Sequence, residues 1–85
     1  MNIHDWLTEW NDEALLADGF DDAIIGIGQR CGSDPVVVYD TDKIISMLIE
    51  KGMDESEAQE YFDFNILGSY VGPGTPMYIT KFKEE

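Results

Sequence analysis

The sequence predicts an α+β fold: a small three-stranded, mainly antiparallel sheet packed with three helices in the order α-β-β-α-α-β. Three observations lead to this prediction. The chain has 85 residues, the size of a single domain spanning residues 1–85. Apolar residues make up 44% and aromatic residues 12% of it, which is a globular composition. Apolar side chains recur at helical spacing in three segments, whereas three other segments are short runs rich in β-branched residues or alternating in polarity.

The first helix is expected over residues 2 to about 16. Asn2 suits the N-cap position, because its side chain can accept a hydrogen bond from a free backbone amide of the first turn. Gly19 follows the segment and can adopt the left-handed conformation that ends many helices. The apolar face of this helix consists of Ile3, Trp6, Leu7, Trp10 and Ala14.

A β-hairpin is expected next. Residues 23–30 and 36–39 read as strands, and residues 31–35 between them contain glycine and proline and read as a turn. Gly26 and Gly28 are two residues apart and therefore lie on the same face of the first strand. Two explanations are open for this pair: a helix covers that face closely, or the strand carries a bulge.

Two further helices follow the hairpin. The second is expected over about 41–51, with Asp40 and Thr41 as capping residues. The third is expected over about 55–68, because residues 54–57 have the form of a capping box, an acceptor at the N-cap with Glu three positions later.

The C-terminal part is expected to be a rigid loop and a last strand. The loop covers residues 72–76 and the strand 77–82, followed by a frayed tail. Two antiparallel helices return the chain to the end of the sheet from which they started, so the third strand should run antiparallel to the second. Asn65 lies on the inward side of the third helix, where its side chain can tie the helix to the loop.

The acidic composition limits the classes of partner. The net charge is −13, and a surface this negative repels phosphate backbones and anionic lipid headgroups. The single cysteine excludes an internal disulfide and a cysteine-based zinc site within one chain. The N-terminal residues show no basic region followed by an apolar run, so we expect no signal peptide, no membrane association and a cytoplasmic location.

Two segments partly match cofactor or metal motifs, but each lacks a feature that the motif requires. Gly26 and Gly28, followed by Gly32, resemble a phosphate-binding loop, but a second strand follows them where a dinucleotide site needs a helix. The acidic groups at 18–22 and 40–42 lack the spacing of a calcium loop, and the latter is better explained by helix capping. We therefore expect neither a cofactor nor a metal.

Catalytic patterns are also missing from the sequence. His4 is the single histidine, and no nucleophile or metal-ligand pattern surrounds it. The carboxylates are numerous, but nothing marks two of them as an acid and base pair. We therefore expect that the protein is not an enzyme and has no catalytic residues.

The candidate partner-binding residues are two tryptophans and two acidic helix faces. Trp6 and Trp10 share one helical face, which either packs against the sheet or anchors a partner, since tryptophan is enriched in interface hot spots. The acids would stand about 5–6 Å apart along their helices, a spacing close to that of phosphates on a nucleic-acid strand, and would thereby fit the basic groove of a nucleic-acid-handling protein. These acids are Glu9, Asp12 and Glu13 on the first helix and Glu57, Glu60 and Asp63 on the third.

Five short segments share a pattern over about residues 19 to 79, namely residues 19–26, 38–40, 62–68, 71–72 and 75–76. In this pattern the chain resembles a group of small acidic accessory proteins of tailed bacteriophages. The resemblance implies no activity and no functional residues. It does imply that the protein acts by binding host machinery or host defences, as small acidic phage proteins often do.

These observations lead to a non-enzymatic, phage-type accessory protein of the host cytoplasm that binds a protein partner. A specific form is an inhibitor of a host nucleic-acid-handling or defence protein. Two alternatives stay open: a structural or assembly accessory acting as a homo-oligomer, and a small-ligand or nucleotide-binding module near Gly26, Gly28 and residues 72–76. A homodimer is expected, paired across an edge strand or an apolar helix face, because a small sheet leaves both uncovered.

We predict that the protein does not bind duplex DNA at physiological salt. Binding to duplex depends mainly on neutralising phosphates with Lys and Arg, and this chain has a net charge of −13 and no basic cluster. A mobility-shift assay with plain duplex and no added metal ion tests this. A shift at micromolar protein would contradict the prediction.

Overall fold

The computed structural model describes residues 2–83. In this range it contains three α-helices, a three-stranded sheet and two short helical turns of other types. The elements are α1 Ile3–Trp10, a 3-10 turn Asp21–Ala23, β1 Ile24–Arg30, β2 Ser33–Asp40, α2 Thr41–Glu50, α3 Glu55–Tyr61, a π-helical turn Phe62–Leu67 and β3 Met77–Ile79. The predicted α+β class is confirmed, and the two short turns are additions to the predicted order.

Helix α1 is much shorter than predicted. Asn2 caps it as expected, since the side-chain oxygen accepts a hydrogen bond from the amide of Asp5 at 2.9 Å. The helix ends at Trp10 because Asn11 takes an extended conformation and donates its side-chain amide to the carbonyl of Pro35 at 2.9 Å. The predicted extension to residue 16 is therefore wrong, and a tertiary contact is the reason.

Strands β1 and β2 form the predicted antiparallel hairpin, with Ile27 opposite Val37. The register shifts between Ile24 and Gly26, so the explanation of the glycine-containing strand by a bulge is confirmed. Strand β2 begins earlier than predicted, at Ser33, and its ladder has a second irregularity close to its proline.

The direction of the third strand corrects the prediction. β3 pairs with β2 in parallel, with Val38 opposite Met77, so the sheet is mixed and has the order β1-β2-β3. The prediction assumed that only the two helices after β2 carry the chain from one end of the sheet to the other. Residues 68–76 add a third crossing, because they carry the chain to the end of the sheet where β2 begins, and Tyr70 and Pro73 there line a hollow with Ser33. β3 also ends at Ile79, short of the predicted residue 82.

The capping predictions for α2 and α3 are confirmed. The Asp40 side chain accepts from the amides of Asp42 and Lys43 at the start of α2. The capping box of α3 is complete, because Asp54 accepts from the Glu57 amide at 2.8 Å and the Glu57 side chain accepts from the Asp54 amide. The prediction that this α-helix continues to residue 68 is wrong. The α-helix ends at Tyr61, and a π-helical turn follows from Phe62 to Leu67.

The core lies on one face of the sheet. Val37 and Tyr39 of β2 point into it, and neither side chain is accessible to solvent. The helices contribute their buried apolar residues to the same cluster, namely Leu7 of α1, Ile44 and Leu48 of α2, Ala58 of α3, and Phe62 and Ile66 of the π-helical turn. The helices therefore form one layer against this single face.

The opposite face of the sheet has a compact arrangement of its own. A Cβ atom added to Gly28 would lie 2.8 Å from a methyl group of Val38 and 3.6 Å from the sulfur of Met77. Two side chains therefore fill the space that a larger residue would need at position 28. Gly26 differs, because no heavy atom lies within 4 Å of the position of its added Cβ.

We predict that Gly28→Ala lowers the free energy of unfolding by about 1–3 kcal/mol, because the buried, β-branched Val38 cannot easily move away. Gly26→Ala is the matched control and should leave stability unchanged or raise it by up to about 1 kcal/mol. For a domain this small, each kcal/mol corresponds to about 4–8 °C in the melting temperature. Thermal unfolding checks both variants, and equal melting temperatures would refute the assigned packing.

Candidate functional site

A groove of about 530 Å³ lies on the described surface and is here called the apolar groove. This volume lies within the range of about 300–1,000 Å³ that is usual for ligand sites. The groove separates the irregular segment after α1 from the C-terminal part of α3 and the π-helical turn. Its lining consists of Leu15, Leu16, Ala17, Asp18, Phe20, Tyr61, Asn65, Ile66, Ser69, Val71, Pro76 and Tyr78.

The floor and the rim of the apolar groove differ in burial. Phe20 and Ile66 belong to the core and are each 8% exposed, so the floor is fixed by the packing of the protein. The rim is made of large apolar side chains that stay 37% to 61% exposed, namely Leu15, Leu16, Tyr61 and Val71. Exposed apolar side chains that converge on one concavity are typical of a binding surface.

One wall of the apolar groove is held in place by two hydrogen bonds from its backbone. The amide of Ala17 donates to the hydroxyl of Tyr39 at 2.8 Å, and the amide of Leu15 donates to the carbonyl of Gly74 at 3.1 Å. These partners replace the bonds that a helix would have made. The wall is thus fixed by the sheet and by the loop that precedes β3.

The other wall begins where α3 changes to a π-helical turn. The amide of Gly68 donates to the carbonyl of Asp63 at 3.0 Å, a bond that spans five residues and is characteristic of this turn. Asn65 and Ile66 from the turn line the apolar groove. π-helical turns occur frequently at functional sites, which agrees with this position.

Hydrogen bonds of Thr75 connect residues within the loop before β3. The Thr75 hydroxyl donates to the carbonyl of Gly72 at 2.6 Å and accepts from the amide of Val71 at 2.9 Å. A Cβ added to Gly74 would lie 3.0 Å from the carbonyl oxygen of Glu13, so a larger residue there would push the loop and the segment after α1 slightly apart.

The charge on the lining of the apolar groove is negative. Asp18 is the only ionisable carboxylate among its described lining residues, which include no Lys, Arg or His. Burial raises the pKa of the Tyr39 hydroxyl; the hydrogen bond from Ala17 opposes this, and the charges of Asp21 and Asp18 raise the pKa further. Burial likewise raises the pKa of Tyr78. Both tyrosines are therefore neutral at physiological pH.

The predicted anchors, Trp6 and Trp10, lie outside the apolar groove. Their rings meet edge to face with centroids 6.2 Å apart. They are 36% and 43% exposed, so packing into the core does not account for them. They form a separate half-exposed aromatic pair on α1.

The predicted acidic faces are less regular than expected. Glu9 is on α1, but Asp12 and Glu13 follow the end of this helix and therefore do not continue its face. On the second face, Glu57 takes part in the capping box. Glu60 is exposed on α3, and Asp63 lies in the π-helical turn and accepts a hydrogen bond from Gln59 at 3.1 Å.

Asn65 and the pair of glycines in β1 differ in part from their predicted positions. Asn65 does not point into the core; it is exposed and lines the apolar groove, and Thr75 is the residue that braces the loop. Gly28 and the loop residues Pro73 and Pro76 line a smaller hollow of about 300 Å³ on the opposite face of the sheet. Gly26 is not among the residues of that hollow.

The single histidine contacts one carboxylate side chain. His4 Nε2 lies 2.8 Å from a carboxylate oxygen of Asp21, with both side chains about half exposed, and links α1 to the 3-10 turn. Between residues 2 and 83, no group of three or more His, Cys, Asp or Glu side chains is placed to hold a metal ion. In the same part of the chain, no helix is long and apolar enough to cross a membrane.

The sequence does not predict the apolar groove, because its pattern assigns the rim to other elements. It places Leu15 and Leu16 in the first helix, and Val71 enters only through the resemblance. The available signal was the pair of adjacent leucines directly before Ala17 and Asp18, which does not fit the apolar face set by Trp6 and Trp10. Comparisons with family models, with curated proteins and with solved structures find no match to the chain.

Proposed function

We propose that the protein is a non-enzymatic accessory protein, of the phage type that its sequence resembles, and that it binds a protein partner through the apolar groove. The observation that carries this proposal is the rim of four large apolar side chains around a fixed floor. Leaving these side chains in water is unfavourable by about 25 cal/mol per Å² of apolar area, and covering them with a partner recovers that free energy.

The lining of the apolar groove supports binding over catalysis. Among the described residues it offers one carboxylate, one amide and a few hydroxyl groups, with no histidine, cysteine or lysine to act as base or nucleophile. A site of this composition can recognise a side chain and exclude water from it.

The charge of the chain supports a basic partner. A net charge of −13 attracts a positively charged protein and speeds its association. Host proteins that handle nucleic acid, including those of defence, carry such surfaces, so inhibition of one of them is the specific form of the proposal. The proposal relies on the overall negative charge of the chain, because the two predicted acidic faces are interrupted.

Selection of random short peptides on the immobilised protein tests the proposal. We expect peptides that bind the parent and lose at least about tenfold in affinity, equivalent to 1.4 kcal/mol, with the double variant Leu16→Ser, Val71→Ser. The control is Phe64→Ser, which removes a more exposed apolar side chain outside the groove. The proposal fails if no peptide binds, or if the groove variant binds as the parent does.

A second candidate function, a homodimer that serves assembly, is favoured by the face of the sheet opposite the core. Met77 and Ile79 are about 40% exposed there. The edges are less suited to pairing, because β1 carries a bulge and β3 has three residues. The face of the sheet opposite the core therefore replaces the edge strand as the proposed contact.

Two ion pairs beside the ends of β2 and β3 balance charge locally, although two copies carry −26 together, twice the −13 of one chain. Lys81 contacts Asp40 at 3.2 Å, and Lys83 contacts Asp42 at 3.1 Å. Burial by itself would raise the pKa of Asp40, but Lys81 and two backbone amides lower it below its ordinary value, so the pair stays ionised.

We predict a dimer in sedimentation experiments at micromolar protein in about 0.15 M salt, where charges are screened beyond about 8 Å. The dimer should strengthen with more salt, because the contact is apolar and the repulsion is screened. Ile79→Glu should give a 9.6 kDa monomer, whereas Val71→Glu in the apolar groove should not. A parent chain that stays monomeric at high salt would remove this candidate.

A further inference from the structure

We infer that the apolar groove takes an arginine side chain of the partner, with the guanidinium group between aromatic rings and beside Asp18. This inference rests on the proposed function and names the residue that the groove recognises. It requires an apolar channel for the aliphatic part of the side chain, flat aromatic surfaces for the guanidinium plane, and a carboxylate for its charge.

The aromatic surfaces come from three different parts of the chain. Phe20 follows the first wall, Tyr61 ends α3, and Tyr78 is in β3. Tyr78 is held firmly, since its ring stacks on Tyr39 at 5.7 Å between centroids and meets Phe62 edge to face at 5.5 Å. Faces of neutral aromatic rings attract cations, and the planar guanidinium group stacks on them better than an ammonium group does.

The aliphatic part of arginine has a matching surface. Leu15, Leu16 and Val71 form an exposed apolar rim, and the three methylene groups of arginine can lie along it while the charged end reaches further in. Asp18 then lies on the same wall as the two leucines and can accept two parallel hydrogen bonds from the guanidinium group.

Phe20 already binds a cation within the protein. The ammonium nitrogen of Lys51 lies 5.1 Å from the centroid of the Phe20 ring, although Lys51 does not line the groove. This contact shows that the ring already interacts with a positive charge inside the protein. It also places one positive charge near the site, and that charge opposes the binding of another cation.

Small probes of nearly equal size separate the charge from the apolar contribution. Propylguanidinium, butylammonium, pentanol and pentanoate are titrated into the isotopically labelled parent chain, and the backbone amide shifts of Ser69 and Val71 report occupancy of the groove. We expect propylguanidinium to bind most tightly, about fivefold or more above pentanol, and pentanoate to bind least.

Three variants test the assigned roles. Asp18→Asn should remove most of the preference for guanidinium over pentanol, whereas Asp22→Asn, an exposed acid outside the groove, should keep it. Tyr61→Leu should weaken guanidinium binding and leave pentanol binding nearly unchanged. Lys51→Gln should strengthen guanidinium binding, because it removes the opposing charge.

The outcomes distinguish this inference from the proposed function. Equal binding of pentanol and propylguanidinium, or an unchanged preference in Asp18→Asn, overturns the arginine inference and leaves protein binding by the groove intact. A preference for butylammonium over propylguanidinium assigns the site to lysine and also overturns the inference. Peptide binding that is unchanged in the double variant Leu16→Ser, Val71→Ser overturns both the arginine inference and the proposed function.

Discussion

The hydrogen bond between the Tyr39 hydroxyl and the Ala17 amide is the interaction on which the rest of the structure depends. Tyr39 is completely buried in the central strand, and its ring stacks on Tyr78 of the neighbouring strand. Its hydroxyl group reaches across the core to the segment that follows α1. A single side chain thus connects the sheet, the core and an irregular wall of the apolar groove. A phenylalanine here would keep the packing and leave the Ala17 amide without this partner.

The distribution of charge follows from the small size of the domain. A chain of 85 residues has a thin core, and its 18 acidic residues must remain at the surface. Some of the large apolar side chains that stay outside the core lie at the rim of the apolar groove and on the face of the sheet opposite the core. Both proposed contacts use such side chains.

The parts of the fold that the sequence predicted are those encoded over a few neighbouring residues. Asn2, Asp40 and Asp54 start their helices through contacts two or three positions away, so the pattern is readable in the chain. The end of α1 depends on Asn11 meeting Pro35, which is 24 residues distant, and no local pattern encodes that contact. The direction of β3 and the apolar groove depend on distant contacts of the same kind, such as the one from Leu15 to Gly74 across the loop before β3.

The exposed rim has a consequence for how the protein can adapt. Leu15, Leu16 and Val71 are not part of the buried core cluster, whereas the close approach at Gly74 fixes the frame that presents them. Substitutions at exposed positions usually change stability by less than about 0.5 kcal/mol. The chemistry of the rim can therefore diverge at little cost in folding. On the proposed function, a lineage of such proteins can follow a partner that changes its contacts with the rim, because these three rim residues are not among the side chains of the buried core.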